Sequence, residues 1–337
     1  MKYKVGIIGC GKILVRHLES IEKNKDFELK ALCDIDKSLL NKLSSKYDVT
    51  TYTDFKDMVD NEDINFVVIA TPNSLHFYQA KYCLENKCDV LIEKPVCISS
   101  ELARTIEKIA KDNNQRAYSV LQVRLNPVVS AVKQLIDSGL LGKIRGVSLI
   151  QRWQRPQEYF NDWRGNPLLG GGTLHECGIH YLDILCYLFG KPQIDSSSLY
   201  NTKHKTTTIE DTVYSLMNFG DFGGTVEITI ACEPKNIECS MAIMTEHGFI
   251  ELGGKALDKI TKVHFLKEHK DLKKQYEKIT LQLKESKETN SYGKYKGSCP
   301  NHPELYANLD DFDVSVSFDS LDLITDIYKS AGVRYGK

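Results

Sequence analysis

The feature that most constrains this chain is an apolar run over residues 4–8 that ends directly in Gly9-Cys10-Gly11 and leads into apolar residues at helical spacing over 12–21. That order reads as strand, tight turn and helix. A second apolar run, 28–33, ends in Asp34-Ile35-Asp36, which gives the span of about thirty residues of a βαβ unit. Glycines at the turn let the backbone approach a pyrophosphate, and the helix N-terminus offers unpaired N–H groups. An acidic side chain beyond the second strand can accept hydrogen bonds from ribose hydroxyls. Either Asp34 or Asp36 suits that last role. A carboxylate there disfavours the extra phosphate of NADP, so NAD is the expected cofactor, with the neighbouring Lys37 the one residue that opposes this preference. The third glycine of the usual fingerprint falls at Leu14, so helix and strand must pack differently, and Gly9-x-Gly11 alone also fits an ordinary strand-to-helix turn.

The pattern continues. Residues 66–70 form a continuous apolar run of the kind buried in parallel sheets, and Thr71-Pro72-Asn73 stops it. A helix is expected over 75–85 and another buried strand over 90–92, which Glu93-Lys94-Pro95 closes. Both motifs fall at strand carboxyl ends, where ligands bind in open α/β sheets. Beyond Gln122 the reading changes to a helix over 128–138 and strands over 144–152, 213–218, 225–231 and 240–245, mostly antiparallel. At 337 residues, two domains are the natural division. The expected fold class is α/β: an N-terminal Rossmann dinucleotide-binding domain over 1–121, then a C-terminal α+β domain over 122–337 with an open, mostly antiparallel sheet and a final helix able to pack back on the first domain.

Composition narrows the function. A formal net charge of -1 provides no global field to draw the protein onto nucleic acid or anionic membrane. No window approaches the roughly 20 apolar residues of a membrane span, and Met1-Lys2-Tyr3 leads straight into a strand-like run, so a cytoplasmic protein is expected. Ten cysteines are scattered singly without a CxxC pair and read as reduced packing thiols. His175, Glu176 and His180 do not have the spacing of a zinc-binding His-Glu-x-x-His helix, so no metal is expected. The lysine-rich stretch 262–287 alternates charge sign and reads as a solvated face.

With Gly9-Cys10-Gly11, Ala70-Thr71-Pro72-Asn73-Ser74-Leu75-His76 and Glu93-Lys94-Pro95 in this order, the chain resembles the Gfo/Idh/MocA oxidoreductase family. Gly170-Gly171-Gly172-Thr173-Leu174 with Gly178-Ile179-His180-Tyr181-Leu182-Asp183 is similar to that family's second-domain signature. The resemblance implies NAD-dependent oxidation of a CH–OH group. It places Gly9, Gly11, Lys12, Ile13, Asp34, Asp36, Thr71, Pro72, Asn73, His76, Glu93, Lys94 and Gln122 around the cofactor, and nominates Lys94 and His180 for catalysis. An imidazole with a pKa near neutrality can take the hydroxyl proton while a nearby ammonium stabilises the developing alkoxide, so His180 is assigned as base and Lys94 as orienter and stabiliser. The reverse stays open, because a desolvated lysine can also act as base. Asp183 shares a helical face with His180 and either orients its ring or bonds a neighbour.

Within the family, Gln151-Arg152-Trp153, Arg155-Pro156, Tyr159-Phe160 and Trp163-Arg164-Gly165 are similar to UDP-N-acetylglucosaminuronate 3-dehydrogenases of surface-polysaccharide and lipopolysaccharide biosynthesis. Those enzymes oxidise the C3 hydroxyl to a ketone for a partner aminotransferase. The similarity implies a nucleotide-sugar substrate whose diphosphate and carboxylate meet Arg124, Arg155 and Arg164. Tyr159 and Trp163 would stack on it or fill the core, and Glu176 and His180 would border it. Glu176 departs from the Asp or Asn of related chains, and 255–296 carries little family signal. The family also implies a homodimer or homotetramer built on the open sheet face, with which the alternation over 225–230 is compatible. Rival readings are another sugar or polyol dehydrogenase of the family and a catalytically silent NAD-dependent sensor.

Overall fold

The computed structural model describes residues 3–170, 172–285 and 301–333. The first sheet contains β1 (Tyr3–Ile8), β2 (Phe27–Cys33), β3 (Thr50–Tyr52), β4 (Phe66–Ile69), β5 (Asp89–Ile92) and β6 (Ala117–Ser119). All pairs are parallel, in the order β3-β2-β1-β4-β5-β6. This is the doubly wound dinucleotide-binding order, whose switch point lies between β1 and β4. Every residue of β4 is buried because helices cover both faces, which explains its unbroken apolar run.

The end of β1 depends on a glycine. Gly9 has φ +95, and a Cβ there would sit 2.5 Å from the carbonyl oxygen of Ala70 just past β4, so no other residue permits this approach. Leu14, in the third-glycine position, begins α1 (Leu14–Lys23) and is buried with Val5, Ile7 and Val68. The helix therefore rests on the sheet through a leucine rather than by close glycine contact.

The second sheet comprises β7 (Ile144–Arg152), β8 (Gln193–Tyr200), β9 (Thr212–Asn218), β10 (Gly223–Thr229), β11 (Glu238–Thr245), β12 (Gly248–Gly253) and β13 (Lys259–Phe265). Its order is β13-β12-β11-β7-β10-β9-β8, antiparallel except for the β7–β10 pair. Alternate residues of β11, among them Cys239, Met241 and Ile243, are buried in one core with Val128 and Val132 of helix Pro127–Asp137 and Leu182 and Leu185 of helix Ile179–Phe189. On the other face Tyr214, Leu216 and Met244 stay about half exposed. The final helix, Phe318–Ser330, bridges the two halves by packing against helix Ser100–Asp112 and against helix Ile179–Phe189.

Two readings need correction. The lysine-rich stretch is not simply a solvated face: β13 closes the sheet edge, and helix Lys270–Glu285 buries Leu272 and Ile279 and packs Tyr276 against Phe265. This i, i+4, i+7 stripe was masked by the surrounding lysines; residues 286–296 lie outside the described set. The single helix expected through His180 also divides, with a π turn over Leu174–Gly178 before helix Ile179–Phe189. No helix among the described residues is long and apolar enough to cross a membrane. Because of the Ala70 contact and the positive φ, Gly9→Ala should destabilise the fold by about 1–3 kcal/mol, read as a lower urea midpoint.

Candidate active site

A cavity of about 950 Å³ lies at the carboxyl edge of the first sheet and is closed by residues of the second half. From the first domain it is lined by Lys12, Ile13, Arg16, Glu93, Lys94 and Gln122. From the second come Trp153, Arg155, Tyr159, Arg164, Glu176 and His180, and His302 joins them from the C-terminal segment.

The glycine turn fits a dinucleotide phosphate on local grounds. A Cβ on Gly11 would meet nothing within 4 Å, so that backbone stands open to a ligand. The N-terminus of α1 has no side-chain cap and no acidic residue in its first turn, so nothing there opposes an anion, although the Leu14 and Arg16 N–H groups already donate to the Gly11 and Ile13 carbonyls. Asp34 accepts from the backbone N–H of Cys10 at 2.7 Å and of Asp36 at 2.9 Å, stitching the glycine turn to the end of β2. Asp36, which is exposed, uses one oxygen to cap α2 (Lys37–Tyr47) through Ser38 and Leu39. Neither aspartate lines the cavity itself.

Several nominated residues hold the site together rather than line it. The His76 ring is fully buried, 2.9 Å from the Pro95 carbonyl and 2.8 Å from that of Thr71, and so ties the two strand-end loops to each other. Thr71 donates to Gln79, and Pro72 and Thr71 are only partly exposed. Asn73 is buried and reaches into the second half, donating to the Gly170 carbonyl at 2.9 Å and to Glu176 at 3.3 Å. Arg124 is a correction: it lies off the cavity lining, with its guanidinium held bidentately by Asp183 at 2.7 and 2.8 Å and also donating to the Val316 carbonyl. Asp183 accordingly bonds Arg124 and not His180. Trp163 is the other correction: it lies off the cavity lining, under the Arg164 guanidinium at 4.3 Å.

The chemical centre is compact. Lys94 donates through Nζ to the backbone carbonyl of Glu176 at 3.0 Å, within the π turn. Such turns recur at functional sites because they re-aim backbone groups. The Glu176 carboxylate accepts from Arg164 Nε at 3.3 Å. Among the described residues, His180 Nδ1 is buried without a hydrogen-bond partner. Burial, reinforced by the positive charge of Lys94, pushes its pKa down to about 3, so the ring is neutral but, in correction of the near-neutral value expected of a base, only a weak proton acceptor.

Around this centre Arg155 stacks over Trp153 at 4.8 Å and Tyr159 at 5.5 Å, and Arg164 covers Tyr159 at 5.4 Å. Two guanidinium groups thus flank one aromatic ring inside the cavity. The Arg155 main chain is pinned, because its carbonyl accepts from Lys203 Nζ at 2.9 Å and faces His204 Nε2 at 3.0 Å. The other ring nitrogen of His204 lies 3.2 Å from buried Asp211.

Sequence reasoning missed Arg16, Trp153 and His302. Arg16 left a readable signal, since a basic residue in the first turn of a helix opposes the macrodipole unless something anionic is near. His302 left only its spacing of four from Tyr306. Because the His180 ring stays neutral well above pH 3, with a proton on one nitrogen only, it should show no NMR titration between pH 5 and 8, and Lys94→Met should move its pKa upward by removing the adjacent charge.

Comparison with known proteins agrees with this geometry. A Gfo/Idh/MocA model described as an oxidoreductase family with an NAD-binding Rossmann fold matches residues 3–121, and a Gfo/Idh/MocA C-terminal domain model matches 129–251. The WlbA dehydrogenase of Bordetella pertussis, solved in complex with NADH and UDP-GlcNAcA, superposes with a TM-score of 0.86 at 28% identity, covering 99% of this chain and 97% of that one. Oxidoreductase P35 of Formosa agariphila is 26% identical over 193 residues, 55% of this chain and 60% of that relative's length. Glucose-6-phosphate 3-dehydrogenase of Bacillus subtilis is 25% identical over 241 residues, 71% of this chain and 68% of the relative. The matched stretch therefore spans less than two thirds of the first of these curated relatives. The two family matches together cover most of the chain, and the protein belongs to the Gfo/Idh/MocA oxidoreductases, a family whose first domain is an NAD-binding Rossmann fold.

Proposed function

We propose that this protein is an NAD-dependent dehydrogenase that oxidises the C3 hydroxyl of a UDP-N-acetylhexosaminuronic acid to a 3-keto sugar. The observation that carries this reading is one cavity holding both a proton-transfer pair, Lys94 and His180, and a guanidinium pair, Arg155 and Arg164, around Tyr159. A catalytically silent sensor needs no proton-transfer pair. A neutral free polyol needs no guanidinium pair.

NAD, when bound, accepts the hydride from the carbinol carbon. His180, kept neutral, receives the hydroxyl proton, and Lys94, fixed by the Glu176 carbonyl, stabilises the negative charge that develops on oxygen. Arg155 and Arg164 supply planar donors for the diphosphate and carboxylate. The WlbA neighbour's complex with NADH and UDP-GlcNAcA supports the substrate class, and the Bacillus subtilis relative's name supports oxidation at C3. The same reading includes a partner aminotransferase that consumes the ketone, a cytoplasmic setting, and a homodimer or homotetramer formed over the sheet face bearing Tyr214, Leu216 and Met244.

The test is absorbance at the reduced-nicotinamide band with purified protein, NAD and UDP-N-acetylglucosaminuronate, with a 2-oxoacid added to recycle any retained cofactor. Turnover supports the proposal; silence, with NADH binding demonstrated separately, transfers the assignment to another sugar. Lys94→Met and His180→Asn should each lower kcat about a hundredfold or more while NADH still binds. Arg155→Ala should raise the substrate KM on the order of tenfold with a smaller change in kcat, as expected from loss of a charged hydrogen bond.

A further inference from the structure

Residues 301–312 return from the second half of the chain to lie against α1. His302 and Tyr306 are one turn apart on the short helix His302–Ala307 and share a face. The Tyr306 hydroxyl is 2.9 Å from His17 Nδ1, and His17 Nε2 lies 3.2 Å from Glu93 Oε1. His302 Nε2 lies 3.5 Å from the same oxygen, and the two imidazoles meet edge-on with centroids 5.6 Å apart. All four side chains are buried. The other Glu93 oxygen accepts from the Lys94 backbone N–H at 3.1 Å.

A carboxylate so placed is costly unless paired. Burial alone would raise the Glu93 pKa, but hydrogen bonding from His17 and His302 outweighs it and holds the carboxyl well below its usual value. Burial pushes the His17 pKa down, so that ring is neutral and has one N–H. With the Tyr306 hydroxyl donating to Nδ1, that N–H is on Nε2 and faces Glu93. His302 is different, because among the described residues its Nδ1 has no hydrogen-bond partner while its Nε2 faces Glu93, and it lines the cavity with Glu93, Lys94 and Gln122. The mechanism above uses none of these groups.

We propose that the C-terminal segment completes the cofactor site: Tyr306 and His17 align Glu93, which the family resemblance already places at the cofactor, as an acceptor beside Lys94, and His302 offers a further ring nitrogen next to it. Together, Glu93 and His302 receive hydroxyl or amide groups of the dinucleotide's nicotinamide end. The nicotinamide end is assigned because Glu93 adjoins the lysine that serves the reacting carbon, whereas Asp34 and Asp36 mark the distant adenosine side. Tyr306 and His17 are positioning residues; Glu93 and His302 are contacts. The inference rests on the NAD-binding reading.

The experiment titrates the full chain with NADH, following energy transfer from its two tryptophans, alongside steady-state kinetics at saturating NAD. His302→Asn, Tyr306→Phe and Glu93→Gln should each weaken NADH roughly five- to thirtyfold, as for a lost hydrogen bond to a charged or buried group, with the sugar KM within about twofold of wild type. In the Glu93→Gln background Tyr306→Phe should add less than about twofold, because it acts through that carboxylate. Tyr306→Phe removes a single hydroxyl, and a cooperative melt without cofactor verifies that it is folded. Wild-type NADH affinity in folded Tyr306→Phe and His302→Asn would overturn the proposal, as would full additivity in the double variant. If the wild-type chain itself fails to bind NADH, the NAD-binding reading falls and this inference with it.

Discussion

The hydrogen bond from Lys94 Nζ to the carbonyl of Glu176 joins the end of β5 to the π turn that precedes His180. It places the two halves of the chemistry in register, and the neighbouring contacts serve the same junction. Asn73 crosses from the end of β4 to Gly170 and to the Glu176 carboxylate, and His76 ties the Thr71 and Pro95 loops from beneath. The Lys94 and Asn73 bonds link segments 82 to 103 residues apart, whereas His76 joins neighbouring loops. They depend on both sheets being rigid, because a small displacement of either would break a hydrogen bond whose partners have little water to fall back on.

Electrostatics divide the labour among basic residues that look equivalent in the sequence. Arg124 is neutralised by buried Asp183 and contributes to packing. Arg155 and Arg164 keep their planar faces on aromatic rings inside the cavity, although Arg164 also leans on Asp162 and Glu176. The charge of Lys94, added to burial, also helps keep the His180 ring neutral.

The main lines of the fold could be read from periodicity. The runs at 4–8, 66–70 and 90–92 are unbroken because helices cover both faces of a parallel sheet, and the observed strands begin and end within a residue or so of those positions. Strands β7, β9, β10 and β11 were equally clear, whereas β8 and β12 were not anticipated. The segment 255–285 was not, since its apolar stripe is sparse and its lysines dominate composition, yet Leu272 and Ile279 bury all the same. Short strands such as β3 and β6 carry too few residues to show a period.

The sequence by itself determined the strand–glycine–helix start, the position of Lys94 at the end of a recognisable strand, and the acidic pair after β2, while His180 was nominated by the family resemblance. Each is local: a glycine is required by one backbone angle, and a strand end by one break in apolar content. Only the tertiary structure decided which arginine is consumed by a buried carboxylate, that His76 and Asn73 tie loops together, and that His302 and Tyr306 come to lie beside Glu93. Those outcomes depend on distances between residues far apart in the chain. Such distances follow from how two sheets and a returning C-terminal segment pack, which no local pattern encodes.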